Sequence, residues 1–446
     1  MPAELGGTLF NAVMALALLL LSWGFAQFVL AYRWGHQELE DALAEPPAPK
    51  ERYRLAVLIA CLNEEEVIGA TVREIRELAP EAIVLVVDDA SDDATGERAL
   101  EAGAMVVRRE LPEARQGKGP ALNQGYAVLQ SLSDCSPDGF DPERTVVCVL
   151  DADGRLSEGA IPAVLSRFDD PRVGGVQLPV RIRNKRRFIG RMQDFEFWGM
   201  SAITQMARIR TRSVSLGGNG QFTRLAALRS VGDTPWSDAL TEDLDLALEL
   251  TLRGWELDCA AGEWVTQQGV ETLRALLRQR TRWYQGHMMC AGRAPLLWQE
   301  ERVARRTALE TTLYLVTPAF VMLPWSIAFT AGLAFFSYNL AVHTSLLFDG
   351  VGVEAFLYGA FWYVLTFLPH VVHGLLYARR TEDESILGAV GKAHVNVFYA
   401  YVNMLAGWRA LGRILLGRTG WEKTKRVAEL EQPQPPAQPP AWIGAV

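Results

Sequence analysis

The sequence lacks an excess of basic residues and lacks closely spaced cysteine pairs. Its formal net charge is −8 over 446 residues. This charge argues against nucleic acid as the main partner, because neutralising phosphates requires a basic face. The cysteines are odd in number, show no CxxC spacing and mostly have apolar neighbours. We therefore expect reduced, buried thiols in a cytosolic domain and no disulfide framework. The cysteines are Cys61, Cys135, Cys148, Cys259 and Cys290.

Charge is also missing from long stretches near both ends of the chain. Residues 9–32 carry no charge and exceed the roughly 20 apolar residues that cross a bilayer. No Lys or Arg precedes them and Arg33 follows them, which favours an anchor over a signal peptide and places the next domain in the cytosol. The region 311–377 holds two further apolar runs with arginines at its outer ends, which predicts a transmembrane hairpin. The expected protein is multi-pass, in the plasma (inner) membrane, with its main domain cytoplasmic.

The C-terminal part is harder to interpret. The apolar stretch from 393 to 416 contains histidine, asparagine and arginine, and a basic WEKTKR segment follows it. A fourth span would place these basic residues outside, so 393–426 is predicted as an interfacial amphipathic helix with the WEKTKR segment, and a membrane-spanning helix stays open. Residues 429–446, with their QPQPPAQPP run, predict a disordered Pro-rich tail.

Between the membrane segments, residues 53–306 predict an α/β domain. Short apolar runs alternate with segments of helical spacing, which indicates a mostly parallel sheet with helices on both faces. In such sheets ligands bind beyond the carboxyl ends of the strands. Acidic residues cluster at those ends. The predicted strands are 54–60, 82–87, 105–108 and 145–150.

The first acidic pair is Asp88-Asp89, which ends a predicted strand. Acids before a helix are common N-caps, so capping and ligand binding are equally good interpretations of this pair alone. A carboxylate here also suits hydrogen bonds from a base or a ribose hydroxyl. The second pair, Asp151 and Asp153, forms a DxD sequence at the end of a buried strand. Such a pair suits Mg²⁺ or Mn²⁺ bridging a diphosphate, although a simple loop pair is the alternative.

The third acidic group is Thr241-Glu242-Asp243 at the start of a strong helix. Thr241 as the cap with acids in the first turn is a good structural explanation. The functional alternative is a general base that deprotonates an acceptor hydroxyl.

Two further motifs are basic or glycine-rich. The QRTRW sequence at 279–283 alone favours a membrane anchor, although Arg282 and Trp283 would also suit a pyrophosphate and a sugar. Lys118, flanked by glycines at a helix start, suits a phosphate contact. The Gly-rich stretch 217–224 suits a loop beside an acceptor. Each of the last two could also be a plain turn.

Together the motifs NEEE, VVDDAS, GKGPALN, VLDAD, TED and QRTRW resemble the processive family 2 glycosyltransferases. The resemblance covers roughly 54–306, the membrane layout and WEKTKR. It implies a GT-A type fold, a UDP-sugar donor and inversion to a β-linkage. Asp243 would be the base within its TED motif, and the DxD pair Asp151 and Asp153 would hold Mg²⁺ or Mn²⁺ with the diphosphate. The remaining site residues would bind substrates: Asn63, Glu64, Asp88 and Asp89 the nucleoside, Lys118 a phosphate, and Gln279, Arg282 and Trp283 the donor and acceptor sugars.

The resemblance leaves the acceptor open. A growing β-linked polysaccharide is the leading expectation, and a non-processive transfer to a lipid hydroxyl is the alternative. Three spans are fewer than larger synthases use for export, so subunits would associate, an export partner would help, or the product would not be a long polymer. The basic, aromatic stretch 186–210 resembles an interface helix. A third hypothesis, a scaffold with an inactive transferase domain, is disfavoured by the intact set of acids.

Overall fold

The computed structural model describes residues 2–44, 48–136, 139–342, 353–381 and 384–418. WEKTKR and the predicted Pro-rich tail at 429–446 therefore lie outside the described residues. All five cysteines are free, and four of them are buried. Cys135 is the exposed one, and the burial of the other four agrees with the expectation that most of the thiols are buried.

The chain forms ten strands and sixteen α-helices within the described residues. The strands are β1 Arg54–Cys61, β2 Ile83–Asp88, β3 Met105–Arg108, β4 Thr145–Val149, β5 Arg155–Leu156, β6 Val173–Gln177, β7 Val180–Ile182, β8 Gln221–Arg224, β9 Glu256–Cys259 and β10 Val265–Gln267. The first ten helices are α1 Pro2–Ala44, α2 Ile68–Leu78, α3 Thr95–Glu101, α4 Lys118–Cys135, α5 Ala160–Arg167, α6 Phe188–Asp194, α7 Ala202–Ala207, α8 Leu225–Val231, α9 Glu242–Leu252 and α10 Leu273–Cys290. The others are α11 Ala294–Gln299, α12 Arg305–Thr317, α13 Leu323–Val342, α14 Val353–Thr366, α15 Leu368–Arg379 and α16 Ile386–Leu415.

Seven strands make the central sheet, in the order β3-β2-β1-β4-β8-β6-β9. The first four run parallel to their neighbours, β8 is antiparallel to both β4 and β6, and β9 is parallel to β6. A second sheet of three short strands has the order β5-β10-β7. The predicted α/β class with a mostly parallel sheet is confirmed. The order reverses between β1 and β4, which is where ligands bind in such sheets.

Alternation along the strands divides the apolar core between the two faces of the sheet. Leu58 and Leu85 pack into one core with α4 and α7. Val57 and Val86 pack into the other core with α2 and α5. Successive strand side chains point to opposite faces, so continuous apolar runs bury both faces of a parallel sheet. The acidic residues follow these apolar runs, at the carboxyl ends of β2 and β4.

Among the described residues, one continuous helix, Arg305–Ala334, is long and apolar enough to cross a membrane. A bent pair, Ala360–Thr366 with Leu368–Arg379, adds a second candidate if it is one broken span with its 51° bend. The predicted anchor at 9–32 lies within α1, and its side chains before residue 15 are outside the described residues. Apart from these two candidates, the multi-pass layout remains a prediction from the sequence. The segment boundaries stay predictions.

The structure defines three helical regions more closely than the sequence does. The QRTRW motif lies inside α10. The stretch 186–210 is not one regular helix, because a π-helical segment, Phe195–Ser201, separates α6 from α7. The C-terminal helix α16 begins at Ile386, earlier than the predicted start at 393, and packs along α10.

Candidate active site

A cavity of about 750 Å³ lies at the carboxyl ends of β1 and β4. It extends from the central sheet to α1, α10 and α12. Its walls include most of the side chains singled out from the sequence. These are Glu64, Asp89, Lys118, Asp151, Thr241, Glu242, Asp243, Gln279, Arg282 and Trp283.

At the sheet end, Asp89 faces the cavity, and its carboxylate pairs with the Arg109 guanidinium at 2.5 Å. Neither Asp88 nor Asp89 caps a helix, since α3 begins at Thr95 without a side-chain cap. Asp88 instead accepts hydrogen bonds from the Ser91 amide at 2.9 Å and the Arg108 guanidinium at 3.1 Å. Its carboxylate is buried outside the cavity lining. The structure thus separates the two neighbouring aspartates, with only Asp89 at the cavity.

The NEEE segment is also divided. Glu64 is buried at the cavity wall, and its amide donates to the Thr95 hydroxyl at 2.7 Å. Asn63 is exposed, outside the cavity lining, and has a left-handed backbone with φ 53°. Its side-chain oxygen accepts a hydrogen bond from the Asp92 amide at 2.7 Å. Asn63 therefore shapes the loops beside the site, while Glu64 borders the site itself.

The DxD pair is split in the same way. Asp151 faces the cavity and pairs with the Lys118 ammonium at 2.5 Å. Asp153 is fully buried and accepts a hydrogen bond from the Gln268 amide at 2.7 Å. The Lys118 ammonium also donates to the Gly218 carbonyl at 2.7 Å. Although burial opposes the charge on Lys118, Asp151 and Glu242 raise its pKa, so a cation is held where a diphosphate would lie.

The TED motif lies at the start of α9 and lines the cavity. Thr241 makes no side-chain cap bond, so the capping interpretation fails for this threonine. Asp243 accepts a hydrogen bond from the following amide, of Leu244, at 2.7 Å. Burial raises the pKa of Asp243, with Lys118 and Arg282 opposing the rise. Burial and the Asp243 charge raise the pKa of Glu242 to about 7. These two carboxyls are therefore better bases than ordinary surface acids.

Close backbone approach holds the TED motif in place on two sides. Gly218, with φ +59°, packs against Asp243, and a Cβ added there would lie 2.9 Å from the Asp243 Oδ2 atom. Gly286 of α10 packs against Thr241, where an added Cβ would lie 2.5 Å from the hydroxyl oxygen. The Gly-rich stretch predicted beside the acceptor thus contacts the candidate base directly. The sequence alone did not indicate that Gly286 packs against the TED motif.

The QRTRW residues lie on the cavity face of α10. Gln279 is buried, Trp283 is half-buried, and the Trp283 ring contacts Phe197 edge-on with a centroid distance of 6.0 Å. The Arg280 guanidinium lies 4.4 Å from the Trp283 ring centroid and pairs with Glu196 at 2.6 Å. Arg280 therefore supports the aromatic wall. The anchor interpretation of the arginine pair does not describe this geometry, because Arg282 lines the cavity.

Beyond Trp283 the cavity continues between the membrane-proximal helices. This part has both polar and apolar walls and was not found from the sequence, because its residues come from separate helices with no shared motif. Burial lowers the pKa of His287 to about 4, so it is neutral, and its ring contacts the Tyr314 carbonyl at 2.9 Å. Glu310 pairs with Arg208 at 3.0 Å. The lining here includes Trp23, Gln27, Gln205, His287, Glu310, Leu313, Tyr314, Thr317 and Pro318.

The donor set for a metal ion is sparse. Among the described residues, no group of three or more His, Cys, Asp or Glu side chains could hold one. Asp151 is the DxD carboxylate that faces the cavity. Mg²⁺ is commonly bound by one or two carboxylates together with substrate phosphates, so Asp151 fits a metal that arrives with a diphosphate. The buried Asp153 carboxylate does not fit that role in this geometry.

Family comparisons agree with this arrangement. The family described as glycosyl transferase family group 2 matches residues 146–375, just over half of the chain. The family described as glycosyl transferase family 2 matches residues 56–229. The matched regions contain the DxD, TED and QRTRW motifs between them.

Similar proteins differ in what their names say they make. A beta-monoglucosyldiacylglycerol synthase of Trichormus variabilis is 30% identical over 295 residues, which cover 61% of this chain and 58% of that protein. A poly-beta-1,6-N-acetyl-D-glucosamine synthase of Staphylococcus aureus is 30% identical over 237 residues, covering 52% and 54%. The chain thus spans somewhat over half the length of these relatives.

The fold itself has a solved counterpart. A mannosyltransferase of Pyrobaculum calidifontis, in complex with GDP-mannose and Mn²⁺, superposes with a TM-score of 0.54 at 16% identity. The match covers 87% of this chain and 99% of that one. The expected GT-A-like fold is confirmed.

Proposed function

The chain belongs to glycosyltransferase family 2, and from that premise we propose that it transfers a sugar from a UDP-sugar to an acceptor hydroxyl held at the membrane. The observation that carries this proposal is the position of Asp243. Its carboxylate lines the same cavity as Asp89 and Asp151 and as the residues of α12. A donor held near Asp89 and Asp151 and an acceptor held near α12 would meet in this cavity.

In the proposed reaction, the Asp243 carboxylate takes the proton of the acceptor hydroxyl. The acceptor oxygen forms a bond to the anomeric carbon while the bond from that carbon to the diphosphate oxygen breaks, and UDP leaves with the electron pair. A single displacement inverts the configuration. The raised pKa of Asp243 suits this role, because the best general bases have a pKa near the working pH. Lys118 would stabilise the negative charge on the departing diphosphate.

The other cavity residues bind or orient the substrates in this proposal. Asp89 and Glu64 would contact the nucleoside, and Gln279, Arg282 and Trp283 would hold the sugars. Glu242 would influence the protonation of Asp243 as its neighbouring carboxyl. Asp151 would hold Mg²⁺ or Mn²⁺, which would supply further neutralisation of the diphosphate charge when bound. Asn63 and Asp88, predicted as direct ligands, act in this proposal through the loops that carry Glu64 and Asp89.

We propose a lipid hydroxyl as the acceptor. The acceptor end of the cavity would be lined by Leu313, Tyr314, Thr317 and Pro318, and all four lie on the candidate span Arg305–Ala334. Such a wall would admit a lipid headgroup from the bilayer while the acyl chains stay among membrane helices. The polar members of this wall, His287 and Glu310 among them, suit a headgroup that carries hydroxyls. The name of the Trichormus relative supports this choice.

A growing β-linked glycan is the second candidate. The Staphylococcus relative favours it by name, and the Trp283 wall would stack the last sugar of a glycan equally well. Export of a long chain would call for associated subunits or a partner.

Product analysis separates the two acceptors. Membranes that contain the full chain are incubated with labelled UDP-sugars one at a time, UDP release identifies the donor, and the products are extracted into organic solvent. Label on a lipid carrying one or two sugars supports the lipid acceptor. Label in a high-molecular-mass, glycosidase-sensitive fraction supports the glycan instead. UDP release that is equal in Asp243→Asn membranes would refute transfer by this site.

A further inference from the structure

The end of α15 and the part of α1 that follows the predicted anchor contact the same helical stretch, residues 188–207. Arg380, directly after α15, donates to the Trp198 carbonyl at 3.0 Å and lies 3.7 Å from the Trp198 ring centroid. Gly35, just beyond the predicted anchor, packs so closely on Ile203 that an added Cβ would lie 2.2 Å from the Ile203 carbonyl oxygen. With the predicted anchor and hairpin in the bilayer, this stretch would lie at the level of its surface.

The N-terminal end of this stretch lies beside the start of α10. Arg187 contacts Glu271 at 3.5 Å, and the Gln193 amide group donates to the Val270 carbonyl at 2.8 Å. Each helix start presents an exposed apolar side chain. Phe188 is 51% exposed, and Leu273 is 57% exposed. Two exposed apolar side chains thus belong to two segments that contact each other through neighbouring residues.

Unneutralised arginines surround these two side chains. Arg186, Arg191, Arg274 and Arg278 are all exposed, and none of the four pairs with an acidic side chain among the described residues. Arg187, with its Glu271 partner, completes the cluster. Such a concentration of cations is unexpected on a chain of net charge −8. We call these five arginines with Phe188 and Leu273 the basic patch.

We propose that the basic patch binds anionic phospholipid headgroups of the bilayer surface, with Phe188 and Leu273 inserted among them. Apolar side chains flanked by arginines are the composition of interfacial segments that bind anionic lipids. Lipid phosphates would complement the four unpaired cations. The patch continues the helical surface on which the membrane elements already rest. Anionic lipid would thereby hold α10, which carries the QRTRW residues, at the membrane.

Hydrogen exchange on the full chain in nanodiscs tests this proposal. One set of nanodiscs contains phosphatidylcholine alone, and in the other phosphatidylglycerol replaces part of it. The first-turn amides of α6 and α10 have few intrahelical acceptors, so headgroup cover should slow their exchange. Each basic residue near an anionic surface contributes roughly a fivefold preference, so slowing of at least that size is expected with phosphatidylglycerol. High salt should remove it.

Two matched variants locate the effect. The first replaces Arg186, Arg191, Arg274 and Arg278 by Gln and should lose the lipid dependence. The control replaces four exposed arginines of the sheet domain by Gln, Arg52, Arg98, Arg144 and Arg229, and should keep it. Equal exchange in the two nanodiscs, or lipid dependence that survives the first variant, would overturn the proposal. Protection by soluble heparin but not by phosphatidylglycerol would also overturn it and assign the patch to an acidic macromolecule.

Discussion

At the scale of single residues, the site depends on carboxylates kept out of ordinary solvent. Asp243 has a raised pKa because it is buried, even though Lys118 and Arg282 favour its charged form. Burial therefore makes ionisation of the Asp243 carboxyl less favourable in the folded protein than in water. Ionised Asp243 is thus both a stronger base and a cost to stability.

We predict that Asp243→Asn lowers kcat by about a thousandfold, within the range that general base catalysis supplies. Asparagine keeps the shape and the hydrogen bond from Leu244, so the KM for the donor should change little. Steady-state kinetics of UDP release in nanodiscs measures both constants.

The control for this change is Asp245→Asn in the same helical turn. Asp245 pairs with Arg293 at 2.5 Å outside the cavity, and asparagine keeps an acceptor for that arginine. Its kcat should stay near that of the unmodified chain. A tenfold or greater loss in this control would show that any change at the α9 start disturbs the site.

The pH dependence follows from the same burial. A base must be deprotonated to act, so kcat should fall as pH drops through the raised pKa of Asp243, above the ordinary range of aspartate. Glu242, with its pKa raised to about 7, titrates nearby. The pH profile of kcat measures this limb, and a profile flat down to pH 4 would contradict the proposed base.

Folding stability should change with pH in the opposite direction to kcat. A carboxyl with a raised folded pKa binds more protons when folded than when unfolded, so stability is lost as pH rises from the unfolded pKa to the folded pKa. Asp243→Asn removes that loss. The variant should therefore melt higher than the unmodified chain at pH 8, and the difference should shrink as pH falls toward 4.

Some of these residue roles could be predicted from the sequence. Strand ends and the motif order indicated Asp89, Asp151 and Asp243, and all three face the cavity. The split between Asp88 and Asp89, and that between Asp151 and Asp153, could not be predicted, because alternate residues after a strand point in directions that only the turn decides. Arg109, which pairs with Asp89, lies outside the motifs recognised in the sequence.

At the scale of elements, α10 connects the C-terminal helix α16 to the TED motif of the sheet domain. Its cavity face carries Gln279 and Trp283, and Gly286 on the same helix packs against Thr241 of the TED motif. On the side toward α16, Gln285 accepts a hydrogen bond from the Arg413 guanidinium at 2.7 Å and donates to the Arg418 carbonyl at 2.6 Å. One helical turn thus contacts both the C-terminal helix and the motif of the candidate base.

We predict that Gly286→Ala lowers kcat at least tenfold. Alanine favours a helix over glycine by about 1 kcal/mol, so the helix itself is not weakened. The added methyl, however, would overlap the Thr241 side chain and displace the TED motif. Kinetics and melting temperature of the purified variant measure the two effects.

The matched change is Gly292→Ala, a short distance along the same helical region. An added Cβ at Gly292 meets nothing within 4 Å, so kcat should be unchanged. Equal kinetics for the two variants would contradict tight packing of α10 on the TED motif.

Regular elements could be predicted well because their signals are local. The bounds of β1 to β4 agree with the apolar runs to within a residue or two. The π-helical segment Phe195–Ser201 and the small sheet β5-β10-β7 could not be predicted. The small sheet joins short segments that are distant in sequence, and the π-helical segment packs against α15, which comes much later in the chain. Neither feature has a signal in its local sequence.

At the scale of the whole molecule, the helices after the sheet domain are joined to it by buried polar contacts. Asp194 is fully buried and accepts hydrogen bonds from the Ile182 amide at 2.8 Å and the Tyr377 hydroxyl at 2.7 Å. Lys185 lies 3.4 Å away. A buried carboxylate needs several donors, and Tyr377 of α15 supplies one of them. The hairpin and the sheet domain therefore share one buried polar group, so their stabilities should be coupled.

Tyr377→Phe tests this coupling. The change removes one donor to a buried carboxylate, a loss of about 1.5–3 kcal/mol, while the ring and its edge-on contact with Phe195 remain. We expect a lower melting temperature in detergent and an unchanged donor KM, since Tyr377 lies outside the cavity lining. The control is Tyr401→Phe, because the Tyr401 hydroxyl meets Thr330 at 3.0 Å on the exposed surface. If both variants melt like the unmodified chain, the contact between Tyr377 and Asp194 does not stabilise the packing of α15 on the sheet domain.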